Sequence, residues 1–270
     1  MDRRFLLPFV FLLSLCLTSG CFAITDLDRF QVEDRCLDAD LTQRRTFNGI
    51  FSGFGEFANR RIEVQLLDFT DPSRPVLLSR AVIAGLSPAE QDAFSVRMFN
   101  AVPPGNSDVL RAVIWADVDD DGVFTPGTDP ARRTEICPSG LVEFTNDNVD
   151  IDLTDPPSVD PMGTFLYSLV DFSAHVNELL ELALIDDSSG AVVGYFRLPA
   201  VIEQDFSIEI PNIVNQGQTY TVEFYADDNV DGVYTTSPDD HSWIEQYTAD
   251  ANGIEELFSH NFEFADLTVF

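Results

Sequence analysis

Apolar and polar residues alternate with a period of two in several short runs of this chain. Ile62, Val64 and Leu66 alternate with Arg61, Glu63 and Gln65, and Phe206, Ile208 and Ile210 alternate with Asp205, Ser207 and Glu209. Tyr220, Val222 and Phe224 alternate with Thr219, Thr221 and Glu223, and Phe262 and Phe264 with Asn261, Glu263 and Ala265. Successive side chains of a strand point to opposite faces, so each run predicts a strand with one face on a core and one toward water. Turn signals break the runs: Asp71-Pro72, Pro104-Gly105, Ser188-Ser189-Gly190 and Asn215-Gln216-Gly217. The segment Ser173–Ile185 also fits a short helix, but its counterpart Gly55–Leu67 reads as strand, and the clearer copy decides.

Counterparts exist because the pattern runs through the chain twice. Glu63-Val64-Gln65-Leu66-Leu67-Asp68 matches Glu181-Leu182-Ala183-Leu184-Ile185-Asp186, and Gln91-Asp92-Ala93-Phe94-Ser95-Val96 resembles Gln204-Asp205-Phe206-Ser207-Ile208. Val113 to Phe124 then matches Glu223 to Tyr234 at an offset of 110. Such a period implies domain duplication rather than a solenoid, whose repeats run about 20–50 residues. Between the copies, Thr154-Asp155-Pro156-Pro157-Ser158-Val159-Asp160-Pro161 reads as a short, stiff linker. The expected organisation is a signal peptide at 1–20, a spacer at 21–46, one β domain at 47–153, the linker at 154–161 and a second β domain at 162–270. About seven short strands per copy fit an immunoglobulin-like or transthyretin-like β-sandwich. The expected fold class is therefore all-β, with two tandem sandwiches related by internal duplication.

Each copy carries an acidic loop after an apolar strand. The loops are Asp117-Val118-Asp119-Asp120-Asp121-Gly122-Val123 and Asp227-Asp228-Asn229-Val230-Asp231-Gly232-Val233. Both read D-x-[DN]-x-D-G, the front half of a calcium loop, in which a tight turn aims successive hard oxygens inward. The expected ligands are Asp117, Asp119, Asp121 and the Val123 carbonyl, then Asp227, Asn229, Asp231 and the Val233 carbonyl. An EF-hand has Glu at position 12. Thr128 and Pro238 stand there instead, and the next residues, Asp129 and Asp239, are the expected closing ligands. The loops resemble those of extracellular bacterial β-sandwich modules and of dockerin or thrombospondin repeats, and that resemblance implies bound calcium. The plain alternative is a solvated Asp/Gly turn. Because the first loop has aspartate where the second has Asn229, it is the stronger candidate.

The N-terminus adds a location. Arg3 and Arg4 precede an apolar run from Phe5 to Leu17, too short for a membrane-spanning helix of about 20 residues. Thr18-Ser19-Gly20-Cys21 follows and resembles the lipobox of bacterial lipoproteins, although Thr18 stands where that pattern usually has Leu. The resemblance implies export, lipidation of Cys21 and anchoring to the cell envelope; without lipidation the protein is secreted. Cys36 and Cys137 then remain as one expected disulfide in an oxidising compartment.

Charge excludes some partners. Loss of residues 1–20 removes Asp2, Arg3 and Arg4, so 46 acidic and 15 basic residues become 45 and 13, a formal charge of −32. Lysine is absent, and no arginine follows Arg197. Nucleic acid and anionic headgroups are poor partners for such a surface.

Catalytic motifs are missing: there is no G-x-S-x-G, no H-E-x-x-H and no phosphate loop. Of the three histidines, His175 aligns with Phe57 and is expected to pack, His241 follows Asp239-Asp240 and His260 has no informative neighbour. The sequence thus predicts a non-catalytic, calcium-binding structural or adhesive surface lipoprotein with an extracellular protein or glycan as partner. A carbohydrate- or other ligand-binding module is the alternative, using Trp115, Phe124, Tyr225, Tyr234 and Trp243 if they are exposed. A metal-dependent hydrolase around His241 and the Asp227 loop is the third reading.

Overall fold

The computed structural model describes residues 40–88, 90–105, 108–145 and 162–270. The signal segment, Cys21, Cys36 and the linker at 154–161 lie outside the described residues. The architecture is all-β. The N-terminal half contributes β1 (Arg45–Ser52), β2 (Ile62–Asp68), β3 (Val76–Ile83), β4 (Ala93–Val102), β5 (Leu110–Ala116), β6 (Ala131–Glu135) and β7 (Leu141–Thr145). The C-terminal half contributes β8 (Gly163–Val170), β9 (Leu180–Asp186), β10 (Ala191–Leu198), β11 (Phe206–Val214), β12 (Thr219–Ala226), β13 (His241–Thr248) and β14 (Gly253–Ser259). A single 3₁₀ turn precedes β2 at Gly55–Phe57, and another precedes β9 at Ser173–His175.

The strands form three sheets. Two are three-stranded, β4-β1-β7 and β11-β8-β14; the third runs β13-β12-β9-β10-β3-β2-β5-β6. Strand order in one half therefore repeats in the other. In both halves a glycine at positive φ opens the parallel strand of the small sheet: Gly140 before β7 (φ 88°) and Gly253 in β14 (φ 125°). A Cβ there would meet the backbone of Thr46 or Thr164, so a side chain is excluded by space as well as by φ.

The eight-stranded sheet passes without a break from one half to the other. Its seam is a parallel pairing of β10 with β3, from Gly194 opposite Arg80 to Arg197 opposite Ile83. Ser79 Oγ donates to the Val192 carbonyl at 2.9 Å, and Arg197 bridges Glu90 at 2.8 Å and Glu181 at 3.4 Å. Each core also borrows from the other half. Ala183, Ile185, Val192 and Tyr195 pack with Phe47, Phe51 and Val64, while Leu67, Leu77, Val82 and Val113 pack with Phe165, Leu182 and Phe224.

Two expectations from the alternation are corrected. Alternation in β2 predicts Glu63 and Gln65 toward water, yet both are buried: the strand lies between β3 and β5, and Glu63 sits between Val82 and Trp115 under Arg61 and Arg80. Arg61 at 2.6 Å and Arg80 at 3.4 Å compensate the Glu63 charge, as a buried carboxylate requires. The expected strand over 261–265 does not form; these residues are irregular tail after β14, with Phe262 80 % exposed and Phe264 stacked on His241 at 4.2 Å.

Candidate metal centres

The acidic loops leave the eight-stranded sheet at equivalent places. β5 ends at Ala116 and the Asp117 N–H donates to the Arg61 carbonyl; β12 ends at Ala226 and the Asp227 N–H donates to the Leu179 carbonyl. The last rung of each ladder thus fixes the first residue of the loop, and Asp117 and Asp227 are each only 2 % exposed. Each then accepts from its own loop: Asp117 from the N–H groups of Asp121 (3.3 Å) and Gly122 (2.8 Å), Asp227 from those of Asp231 (3.1 Å) and Gly232 (2.9 Å). Position 4 is left-handed in both loops, Asp120 at φ 58° and Val230 at φ 59°, and so is position 6, Gly122 at 76° and Gly232 at 81°. A β-branched residue rarely adopts that conformation, so the same turn is imposed on two different sequences.

Oxygens of Asp117, Asp119 and Asp121 lie within 4.8 Å of one another. The Asp119 carboxyl is held above its ordinary range, by desolvation first and then by the charges of Asp121, Asp129 and Asp117. Val123 and Val233 keep their side chains in solvent, while their N–H groups donate to Asp121 and Asp231. Asp129 closes the first loop from below, buried, accepting from Val118 N–H at 2.8 Å and Thr125 N–H at 2.7 Å.

The second loop closes one residue later than its spacing suggests. Asp239 is exposed, and Asp240, fully buried, takes the place of Asp129 by accepting from Thr235 N–H at 2.6 Å. Its other oxygen, Oδ1, is buried with no hydrogen-bond partner. Burial, followed by the Asp227 charge, raises the Asp240 carboxyl above its ordinary range. Asn229 turns its amide toward Asp231 Oδ2 and Thr235 Oγ1 and accepts from Asp231 N–H at 2.9 Å through its own oxygen.

A second centre is one that sequence spacing did not reveal. All three histidines of the chain meet at the end of the C-terminal half. His175 ends the 3₁₀ turn before β9, His241 opens β13 and His260 follows β14, where its N–H donates to the Val170 carbonyl. His175 Nε2 lies 3.0 Å from His260 Nε2 and 3.4 Å from His241 Nδ1. On its other side, His175 Nδ1 lies 2.7 Å from Glu178 Oε2. Phe172, Trp243, Phe262 and Phe264 surround the rings, with Phe172–His260 and Trp243–His260 centroids 5.4 and 5.5 Å apart. Burial, then His260 and His241, lowers the His175 pKa to about 4. Glu178 is pushed up to about 7 by burial first and by Asp228 next.

Three of the five loop aromatics belong to the cores. Trp115, Tyr225 and Trp243 are buried, and Phe124 and Tyr234 are half-buried, with Phe124 edge-on to Trp115 at 5.7 Å. No exposed aromatic row lies beside the loops among the described residues. Cys137 does not present a free thiol; Cys36, its expected partner, is outside the described residues. No protein-family model matches the chain, and no curated protein matches it.

Proposed function

We propose that this chain is an exported surface lipoprotein whose two β-sandwich halves, Ig-like or transthyretin-like and related by internal duplication, are stiffened by calcium for a structural or adhesive role. The observation that carries the calcium reading is the second loop. Asp240 is fully buried beside Asp227, and its Oδ1 has at most a weak approach from the Asn229 N–H, so a cation at that oxygen would offset the cost of burying the charge. The first loop supports it with three carboxylates gathered within 4.8 Å. Calorimetry on the full chain tests the reading: calcium binds at two sites, Asp117→Ala removes one and Asp227→Ala the other. Failure to detect binding by the unaltered chain ends it.

Anchoring and the disulfide are part of the same proposal. A single acyl chain holds a protein only weakly, so stable anchoring needs more than one at Cys21. Mass spectrometry of protein from its native envelope is expected to show a lipidated N-terminal Cys21 and a peptide linking Cys36 to Cys137. An unmodified N-terminus elsewhere, or two free thiols, contradicts the corresponding half of the proposal.

The ligand-binding alternative keeps one supporting observation. A cleft of about 260 Å³ at the seam between the halves is lined by Arg97, Arg197, Glu181, Tyr195, Tyr225 and Tyr234. Its volume lies just under the range of small-molecule sites. Glycan-array or small-molecule binding that is lost in Arg97→Ala would favour it over the structural reading.

A further inference from the structure

We infer that His175, His241 and His260 form a three-nitrogen site for a borderline first-row divalent cation, zinc or its spectroscopic surrogate cobalt(II), independent of the acidic loops. The geometry fits before any ion is added. Zinc–nitrogen bonds of about 2.0–2.1 Å in a tetrahedral shell place ligand nitrogens about 3.3 Å apart. The two distances from His175 Nε2, 3.0 and 3.4 Å, bracket that spacing.

Hydrogen bonding alone does not account for the arrangement. An imidazole nitrogen has a single in-plane lone pair or a single proton. With its Nδ1 engaged by Glu178, His175 offers one lone pair at Nε2, and two other ring nitrogens point at it. A cation accepts all three lone pairs at once. Binding then requires neutral rings carrying their protons on the far nitrogens, and the Glu178 carboxylate receives the far proton of His175. This carboxylate–histidine–metal order is the usual way a ligand histidine is oriented. Glu178 is thus a positioning residue, itself next to Asp228 of the second loop.

The surroundings suit a metal as well. Aromatic rings enclose the cluster, and a hydrophobic shell controls solvent access to a bound ion. His241 and His260 are only half-buried, so solvent reaches the rim of the cluster and could supply a fourth ligand. Three histidines with one open position is a catalytic zinc donor set rather than a closed structural one. The N-terminal half offers nothing comparable, since Phe57 and Pro130 stand where His175 and His241 do.

The test uses tag-free full chain, stripped with chelator and returned to millimolar calcium so that the acidic loops are filled. Zinc chloride is titrated by calorimetry, and cobalt chloride by visible absorption. One equivalent of zinc is expected to bind, and cobalt to give the intense bands of a low-coordinate nitrogen site. His175→Phe, which installs the residue found at Phe57, is expected to abolish both while retaining calcium-dependent melting. Should that variant not fold, His241→Ala and His260→Ala decide in its place. Glu178→Gln is expected to weaken zinc by about 10–100-fold. Asp117→Ala combined with Asp231→Ala is expected to leave zinc binding intact, which separates this site from the calcium reading. Absence of stoichiometric zinc, or unchanged binding in the folded histidine variants, overturns the inference.

Discussion

Removing calcium from the full chain is expected to lower its melting temperature by roughly 5–10 °C per site. A ligand that binds only the folded state stabilises it by RT ln(1 + [L]/Kd), about 2.7 kcal/mol at a concentration 100-fold above Kd. For a chain of this size each kcal/mol moves the midpoint by about 2–4 °C. The loops give the effect its sign. Asp117, Asp119 and Asp121 with Asp129 in the first loop, and Asp227 with Asp240 in the second, hold like charges close together, and a bound cation would relieve the repulsion. Asp117→Ala and Asp227→Ala are each expected to remove one site's share, and the double variant to melt alike with and without calcium. Asp240→Asn separates charge from shape. Without calcium it is expected to melt at or above the parent, because a buried charge facing Asp227 is gone. With calcium it is expected to melt below the parent, because a ligand is lost. Magnesium is expected to substitute poorly, since it demands a tighter octahedral shell and sheds water reluctantly. Thermal melts that ignore calcium in the parent chain reduce the loops to acidic turns.

How much of this was legible in the sequence depended on how local the signal was. The acidic loops were legible because their carboxylates sit within one turn of chain and each loop begins where an apolar strand ends. The closing carboxylate of the second loop was not: thirteen residues counted from Asp227 reach Asp239, but the extra residue before β13 brings Asp240 inward instead. The strands β2, β11 and β12 form where their alternation places them, but only β11 keeps its polar face toward water; Glu63 and Gln65 in β2 and Glu223 in β12 are buried, because period two says which residues share a face and not whether the second face is covered. The tail at Phe262 and Phe264 carries a strand's pattern but meets the edge strand β13 at Ala265, whose N–H donates to the Ser242 carbonyl, without extending into a ladder. The histidine cluster was out of reach altogether. His175 and His260 are 85 positions apart and meet only because β8 and β14 end, and β9 and β13 begin, at the same side of the fold. The one available clue was that all three histidines of the chain fall in its C-terminal half, although Phe57 pointed toward packing for His175.

Because the halves share one sheet, damage to either is expected to unfold both. Trp243 is 1 % exposed, stacks on Phe224 at 5.2 Å, meets Phe172 at 5.6 Å and Phe258 at 5.7 Å, and donates from its ring N–H to the Asn261 carbonyl. Truncating such a side chain removes its transfer free energy and leaves a cavity, so Trp243→Ala is expected to cost about 3–5 kcal/mol. That corresponds to a drop of roughly 6–20 °C. The loss does not stay local. Unfolding β9 and β10 strips the N-terminal core of Ala183, Ile185, Val192 and Tyr195 and exposes the β3 edge. Calorimetry of Trp243→Ala is therefore expected to show a single transition, with calorimetric and van't Hoff enthalpies close to equal. Amide exchange in β2 is expected to quicken along with exchange in β12. Tyr195→Ala, at the seam, is expected to lower the same single transition by acting on the opposite core. Two separate transitions, with only the later half shifted by Trp243→Ala, would mean that the β10–β3 pairing does not couple the halves and that they behave as independent units.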